Sequence, residues 1–172
     1  MKWVLFTGTW RLTNTDVEAD VRAAVREVIS RGDGVLTGGA TGVDFFAMDE
    51  AFILDSTASK LLVIIPTNLD LYIEDVRDNW CHAPITEKEV NSLADLLRKI
   101  KKVNETSIIE MPFVDISQHE YDLRNIEEVK RADEVYAFHV NESSGTQHTI
   151  DQAVIMGVPV VLHKKYDIDT SC

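Results

Sequence analysis

Only two cysteines, Cys81 and Cys172, occur in the 172 residues, far apart and without a Cys-x-x-Cys spacing, so neither a disulfide framework nor a zinc site is indicated. A reduced, cytoplasmic setting follows as the expectation. Long apolar runs are missing too: the longest aliphatic stretch, 61–65, is far too short to span a bilayer. The apolar start at 3–6 soon meets Arg11, without the h-region of a signal peptide. Positive charge is scarce. Lys plus Arg number 17 against 29 Asp plus Glu, a net charge of −12 that disfavours binding a polyanion over the general surface. The cluster Lys99, Lys101 and Lys102 complements the end of its own helix. A small anion remains compatible with this balance, because a helix N-terminus is locally positive whatever the total charge. No Gly-Lys-Ser/Thr follows a glycine loop, no dinucleotide fingerprint follows the first strand, and no His-x-x-x-His spacing occurs. Ordinary ATPase, dehydrogenase and metal-site readings therefore fall, and neither a metal nor a cofactor is expected.

What is present is alternation. Residues 2–7 read as a β-rich strand ending at Gly8, and 16–31 as a helix with Val17, Val21, Ala24, Val25 and Val28 on one face. A second strand at 34–37, a glycine loop at 38–42 and a helix at 43–54 around Val43, Phe46, Ala47 and Phe52 repeat the unit. Residues 61–65 read as a central strand stopped by Pro66. The stretch 67–86 is irregular and reads as a lid insertion. Helix 87–101, a strand at 107–114 interrupted by Pro112, helix 121–131 and strand 134–140 follow. Helix 146–156, with Ile150, Ala153 and Val154 inward, closes at Gly157 before a last strand at 158–162. The 45% hydrophobic content suits one compact domain, 1–172. The fold expected is α/β: a doubly wound, Rossmann-like, mostly parallel sheet flanked by helices, with its strand-to-helix loops gathered along one edge.

Three such loops carry glycines and hydroxyls. Gly38-Gly39-Ala40-Thr41-Gly42-Val43-Asp44 has the makings of an anion cradle, glycines letting the backbone approach a ligand. Taken alone, such a cluster needs no more than a tight turn to explain it. Ser143-Ser144-Gly145-Thr146 stands at a second helix start, where capping by Ser144 or Thr146 is the plainer role. Thr7-Gly8-Thr9-Trp10-Arg11 ends the first strand. Convergence of all three on one sheet edge favours a site. The candidate ligand-binding residues are Gly8, Thr9, Arg11, Gly38, Gly39, Thr41, Gly42, Asp44, Ser143, Ser144, Gly145 and Thr146. Arg11 is a candidate phosphate clamp and Trp10, Tyr72 or Trp80 a candidate base stack. Arg77 sits among Glu74, Asp75 and Asp78 as part of a charge cluster. His82, His119 and His148 each stand alone, as solvent-facing or capping histidines usually do.

The loop at 38–44 resembles the glycine motif of the SLOG superfamily, which includes the SMF/DprA and LOG proteins. Ser144-Gly145-Thr146, with Thr149, Ala153 and Gly157-Val158-Pro159-Val160, is similar to that superfamily's Gly-Thr helix and closing Gly-Lys-Pro-Val segment, with Val158 in place of lysine. The resemblance implies a pocket for a nucleotide or nucleoside phosphate, with Gly39, Thr41, Gly42, Asp44, Ser144, Gly145 and Thr146 in matching positions, and pairing through helices as a homodimer. LOG enzymes end their motif in a glutamate that assists cleavage of an N-glycosidic bond, and the nucleoside deoxyribosyltransferases place a nucleophilic glutamate there. This chain has Thr149 at that position. A hydroxyl carries no negative charge near neutral pH, so loss of hydrolysis follows. The expectation is a nucleotide-binding sensor or carrier. The alternative is an enzyme at the N-glycosidic bond with its carboxylate moved to Asp44, Glu142 or Asp151, and a third reading is a DprA-like DNA-processing module.

Overall fold

The computed structural model describes residues 1–80 and 84–169. Along these residues run β1 (Trp3–Gly8), α1 (Thr15–Ser30), β2 (Gly34–Thr37), α2 (Val43–Leu54), β3 (Leu61–Ile65), α3 (Leu69–Trp80), α4 (Glu87–Val103), β4 (Ile108–Glu110), α5 (Gln118–Arg131), β5 (Glu134–Val140), α6 (Ser144–Met156) and β6 (Val160–Tyr166). The strands form one sheet in the order β4-β3-β2-β1-β5-β6, every pair parallel. The chain builds outward from β1 to β4, then returns past β1 to lay down β5 and β6. The order reverses between β1 and β5, the switch point at which doubly wound sheets open a crevice.

Strand alternation divides the core. Val4, Phe6, Val35, Val63 and Phe138 face the larger cluster, together with the apolar stripes of α1, α2, α3 and α4. Leu5, Leu36, Ile64 and Val135 face the smaller one, against Val129 of α5 and Ala153 of α6. Each fully buried Val, Leu or Phe contributes about 1.5–3 kcal/mol. All seven residues of β5 are buried, as befits a strand covered on both faces and flanked by β1 and β6.

Local chemistry sets the helix ends. Asn14 caps α1 by accepting from the Val17 amide at 3.0 Å, and Thr86 and Ser117 form reciprocal capping boxes with Glu89 and Glu120 on α4 and α5. Gly157, at φ 71°, ends α6 in the left-handed conformation expected of it.

Three sequence readings are corrected. The pattern of 67–86, read as irregular, holds a regular helix, α3, whose residues Leu69, Tyr72, Ile73, Val76 and Trp80 are buried. Cys81 and His82 in that stretch, and Cys172, lie outside the described residues. Val154 points outward at 70% exposure, because α6 buries Thr146, Thr149, Ile150 and Ala153 instead. The final strand begins two residues later than expected and runs on to Tyr166, whose hydroxyl donates to Asp20 of α1. Among the described residues no helix is long and apolar enough to cross a membrane.

Candidate functional site

The carboxyl ends of β1 and β5 meet the starts of α2 and α6 at the switch point, and α3 and α5 close the sides. They enclose a cavity of about 400 Å³. Its lining includes Gly8 at the end of β1 and Arg11 after it, Asp44 of α2, Gly145 and Thr149 of α6, and Arg124 and Glu128 of α5.

The glycine loop after β2 is shaped by its own aspartate. Asp44 Oδ2 accepts from the amides of Gly38 at 3.1 Å and Ala40 at 3.2 Å, while the Gly39 amide donates to Thr37 Oγ1. Amides read from sequence as a cradle for an external anion thus hold an internal one. Thr41 Oγ1 donates to the Trp10 carbonyl at 2.7 Å, and the Val43 amide donates to the Thr9 carbonyl, tying this loop to the turn after β1. Gly42 sits at φ 69°, and a β-carbon there would overlap that same Thr9 carbonyl oxygen, so both its conformation and its surroundings require glycine.

Behind Asp44 lies a buried charge cluster. Arg124 Nη1 donates to Glu128 Oε1 at 2.9 Å and stands 3.9 Å from Asp44 Oδ2. The guanidinium presses against Gly38, where a β-carbon would overlap Nη1, and its Nε is buried without a hydrogen-bond partner. Burial pushes the Glu128 carboxyl up to about 7, Arg124 opposing the rise and the Asp44 charge adding to it. Burial also raises Asp44, against the pull of Arg124 and the two amides, and the facing carboxylates keep Arg124 charged. One guanidinium cannot offset two buried anions, so the pair retains a proton. Glu128 has the direct bond from Arg124, whereas Asp44 accepts two backbone amides and stands farther from the guanidinium. Tyr72, wholly buried and outside the cavity lining, donates to the Gly39 carbonyl at 3.1 Å and so supports the glycine loop from within the core.

One wall is aromatic. The Arg11 guanidinium lies 4.2 Å over the Trp10 ring, Trp10 packs against Trp80 at 4.5 Å, and Trp80 against Tyr121 at 5.7 Å. The Tyr121 hydroxyl donates to Asp75. On the opposite side α6 starts without a side-chain cap: Ser143 Oγ pairs with Thr146 Oγ1 at 2.9 Å rather than with an amide. Beside Gly145 lies open space, with no heavy atom within 4 Å of where a β-carbon would stand. Thr149 reaches the cavity, but its hydroxyl donates back to the Gly145 carbonyl at 3.2 Å.

Of the candidates drawn from sequence, Gly8, Arg11, Asp44 and Gly145 line the cavity, as do Trp10 and Trp80. Thr9, Gly38, Gly39, Thr41, Gly42, Ser143, Ser144 and Thr146 are not among its lining residues. Glu142 and Asp151 are exposed and absent from the lining, Asp151 accepting from Gln147 at 2.8 Å, and Arg77 is exposed on α3. Sequence reasoning missed Arg124, Glu128, Asp75 and Tyr121. The signal was present in α5, where Tyr121, Arg124 and Glu128 recur at helical spacing on the face that also buries Val129. Among the described residues no group of three His, Cys, Asp or Glu is arranged to hold a metal.

These features define a Rossmann-like α/β protein with a six-stranded parallel sheet, its open edge holding the candidate site. Among solved structures, the chain is similar to DNA processing protein A from Helicobacter pylori, described with a single-stranded DNA binding mode, at 20% identity and a TM-score of 0.64 over 99% of this chain and 66% of that one. It is similar to DprA from Streptococcus pneumoniae at 16% identity and 0.59, over 99% of this chain and 51% of that one. The structural-genomics target TM1055 matches at 17% identity and 0.51, over 93% and 72%. The chain therefore spans less than two thirds of either DNA processing protein, and the shared feature is the fold. No family model and no curated protein matches the sequence.

Proposed function

We propose that this protein binds a nucleotide-derived small molecule in the switch-point cavity and acts as a sensor or carrier in the cytoplasm. The observation that carries this reading is the uncapped start of α6 at Gly145, open to the cavity opposite the wall of Arg11, Trp10, Trp80 and Tyr121. A helix start of this kind suits a phosphate or carboxylate, and the aromatic wall suits a base. With Asp44 filling the loop after β2, the anion belongs at α6 alone. Thr149, bound to the carbonyl of Gly145, supplies no carboxylate for glycosidic chemistry.

A second reading, cleavage or transfer at an N-glycosidic bond, is favoured by Glu128, a carboxyl on the cavity floor that sequence reasoning did not weigh. Ligand-observed NMR with nucleosides, nucleoside mono- and diphosphates and NAD-related compounds, followed over hours, separates the two. Saturation transfer without new sugar or base signals supports the binding module, and free base supports the enzyme. Gly145→Asp, which places a carboxylate at the α6 start, should abolish the transfer. Unchanged transfer in that variant would remove the α6 anion site.

A further inference from the structure

We propose that Glu128 is the hydrogen-bond donor of the cavity, its protonated carboxyl meeting a neutral acceptor atom on the ligand, such as a ring nitrogen or carbonyl oxygen of a base. The inference rests on the nucleotide pocket proposed above and names what the pocket floor recognises.

The geometry carries it. Glu128 is 3% exposed and lines the cavity. Its Oε1 is taken by Arg124 Nη1 at 2.9 Å, which leaves Oε2 for the cavity. Arg124 serves Asp44 from the same nitrogen, and Asp44 is further held by two backbone amides. The charged and titratable groups around Glu128 are Arg124 on its own helix, Asp44 from α2 and Tyr72 from α3. Asp75, Tyr121 and Arg11 stand further along the same cavity. Among these, two buried acids compete for one guanidinium, and the acid with fewer donors keeps its proton. A buried neutral carboxyl is a strong donor toward a neutral acceptor. Ionised, the same group repels that acceptor and adds a second buried negative charge beside Asp44. Binding is then coupled to protonation: the ligand raises the proton affinity of Glu128, and affinity falls where Glu128 ionises.

Adenosine is a suitable probe, being neutral from about pH 6 to 8.5. Calorimetric titrations at several pH values, each in buffers of different ionisation enthalpy, read affinity and proton uptake together. The expected result is constant affinity below about pH 7, a decline approaching about tenfold per pH unit above it, and proton uptake on binding in the upper range. Glu128→Gln keeps an N–H donor without a titrating proton and should bind with no such pH dependence. Glu128→Met removes the donor and should bind about tenfold or more weakly at pH 6. Binding of adenosine by the wild-type chain with no pH dependence and no proton uptake overturns the proposal, and this holds even if a variant fails to fold. Absence of binding by adenosine and by every nucleotide tested overturns the nucleotide pocket itself, and the role of Glu128 with it.

Discussion

Two glycines at the site obey opposite rules, and their neighbours decide which. A β-carbon on Gly38 would overlap both the Arg124 guanidinium and the Glu128 oxygen that holds it in place. A β-carbon on Gly145 meets nothing, and this residue sits in the first turn of α6 without a positive φ. Gly38→Ala should therefore cost about 1–3 kcal/mol through overpacking and displacement of Arg124. Gly145→Ala should be neutral or stabilising by up to about 1 kcal/mol, because alanine favours the helix. Urea unfolding of the two variants checks the contrast, and equal losses would mean that the Arg124 contact does not govern Gly38. Both glycines looked alike in the sequence, each a small residue in a strand-to-helix loop. Their difference is tertiary: it comes from a side chain 86 positions beyond Gly38. Arg124 and Glu128 were hidden for the same reason, as ordinary charges in a strongly charged helix until β2 and α2 were brought against them.

At the scale of elements, the expected alternation of strand and helix was legible because each unit carries its own period and punctuation, as with Gly8 closing β1 and Gly157 after α6. Helix α3 was not read, although Leu69, Tyr72, Ile73, Val76 and Trp80 keep helical spacing, because Asp, Glu, Arg and Asn intervene and Pro84 follows closely. Helix starts divide by use. The α4 start is closed by Thr86, whose hydroxyl accepts from the Glu89 amide at 3.3 Å, whereas Ser143 at the α6 start bonds no amide. Thr86→Ala should lower stability by about 1 kcal/mol, and Ser143→Ala by less than about 0.5 kcal/mol. Thermal unfolding of the pair is the check, and a cost at Ser143 matching that at Thr86 would show that α6 is capped by its own chain and not held open for an anion.

Over the whole molecule, charge sets how stability follows pH. The carboxyls of Asp20, Asp33, Glu110 and Glu134 are held below their ordinary range: hydrogen bonds from Lys164 and Tyr166 lead at Asp20, the Lys2 amide at Asp33 and the Lys2 side chain at Glu134, while at Glu110 the bonds from Lys101 and the Leu69 amide outweigh burial. Their contribution is present above the unfolded carboxylate range and is lost as pH falls below about 4. Glu128, pushed up to about 7 by burial, and Asp44, raised by burial as well, act in the opposite sense. Between the unfolded value, about 4.5, and 7 the native state binds the extra proton, so stability falls as pH rises through that window. The growing net negative charge, −12 at pH 7, adds self-repulsion in the same direction. His163 opposes them, since burial, Lys165 and His139 hold its value down and favour folding as pH rises. Two buried acids outweigh one largely exposed imidazole, so the melting temperature should peak near pH 5 and decline toward pH 7.5. Glu128→Gln should remove most of that decline and leave the acid limb below about pH 4 intact, and His163→Gln should steepen it. Melting curves of the three proteins from about pH 3 to 8 test the account. A wild-type melting temperature that rises from pH 5 to 7.5 would mean that Arg124 offsets both acids and that no proton is stored on the cavity floor. The same surface charge bears on DNA: with Asp44, Asp75 and Glu128 lining the cavity, a single strand should bind this chain weakly if at all, and an electrophoretic shift that persists at about 0.15 M salt would require a basic track that these residues do not supply.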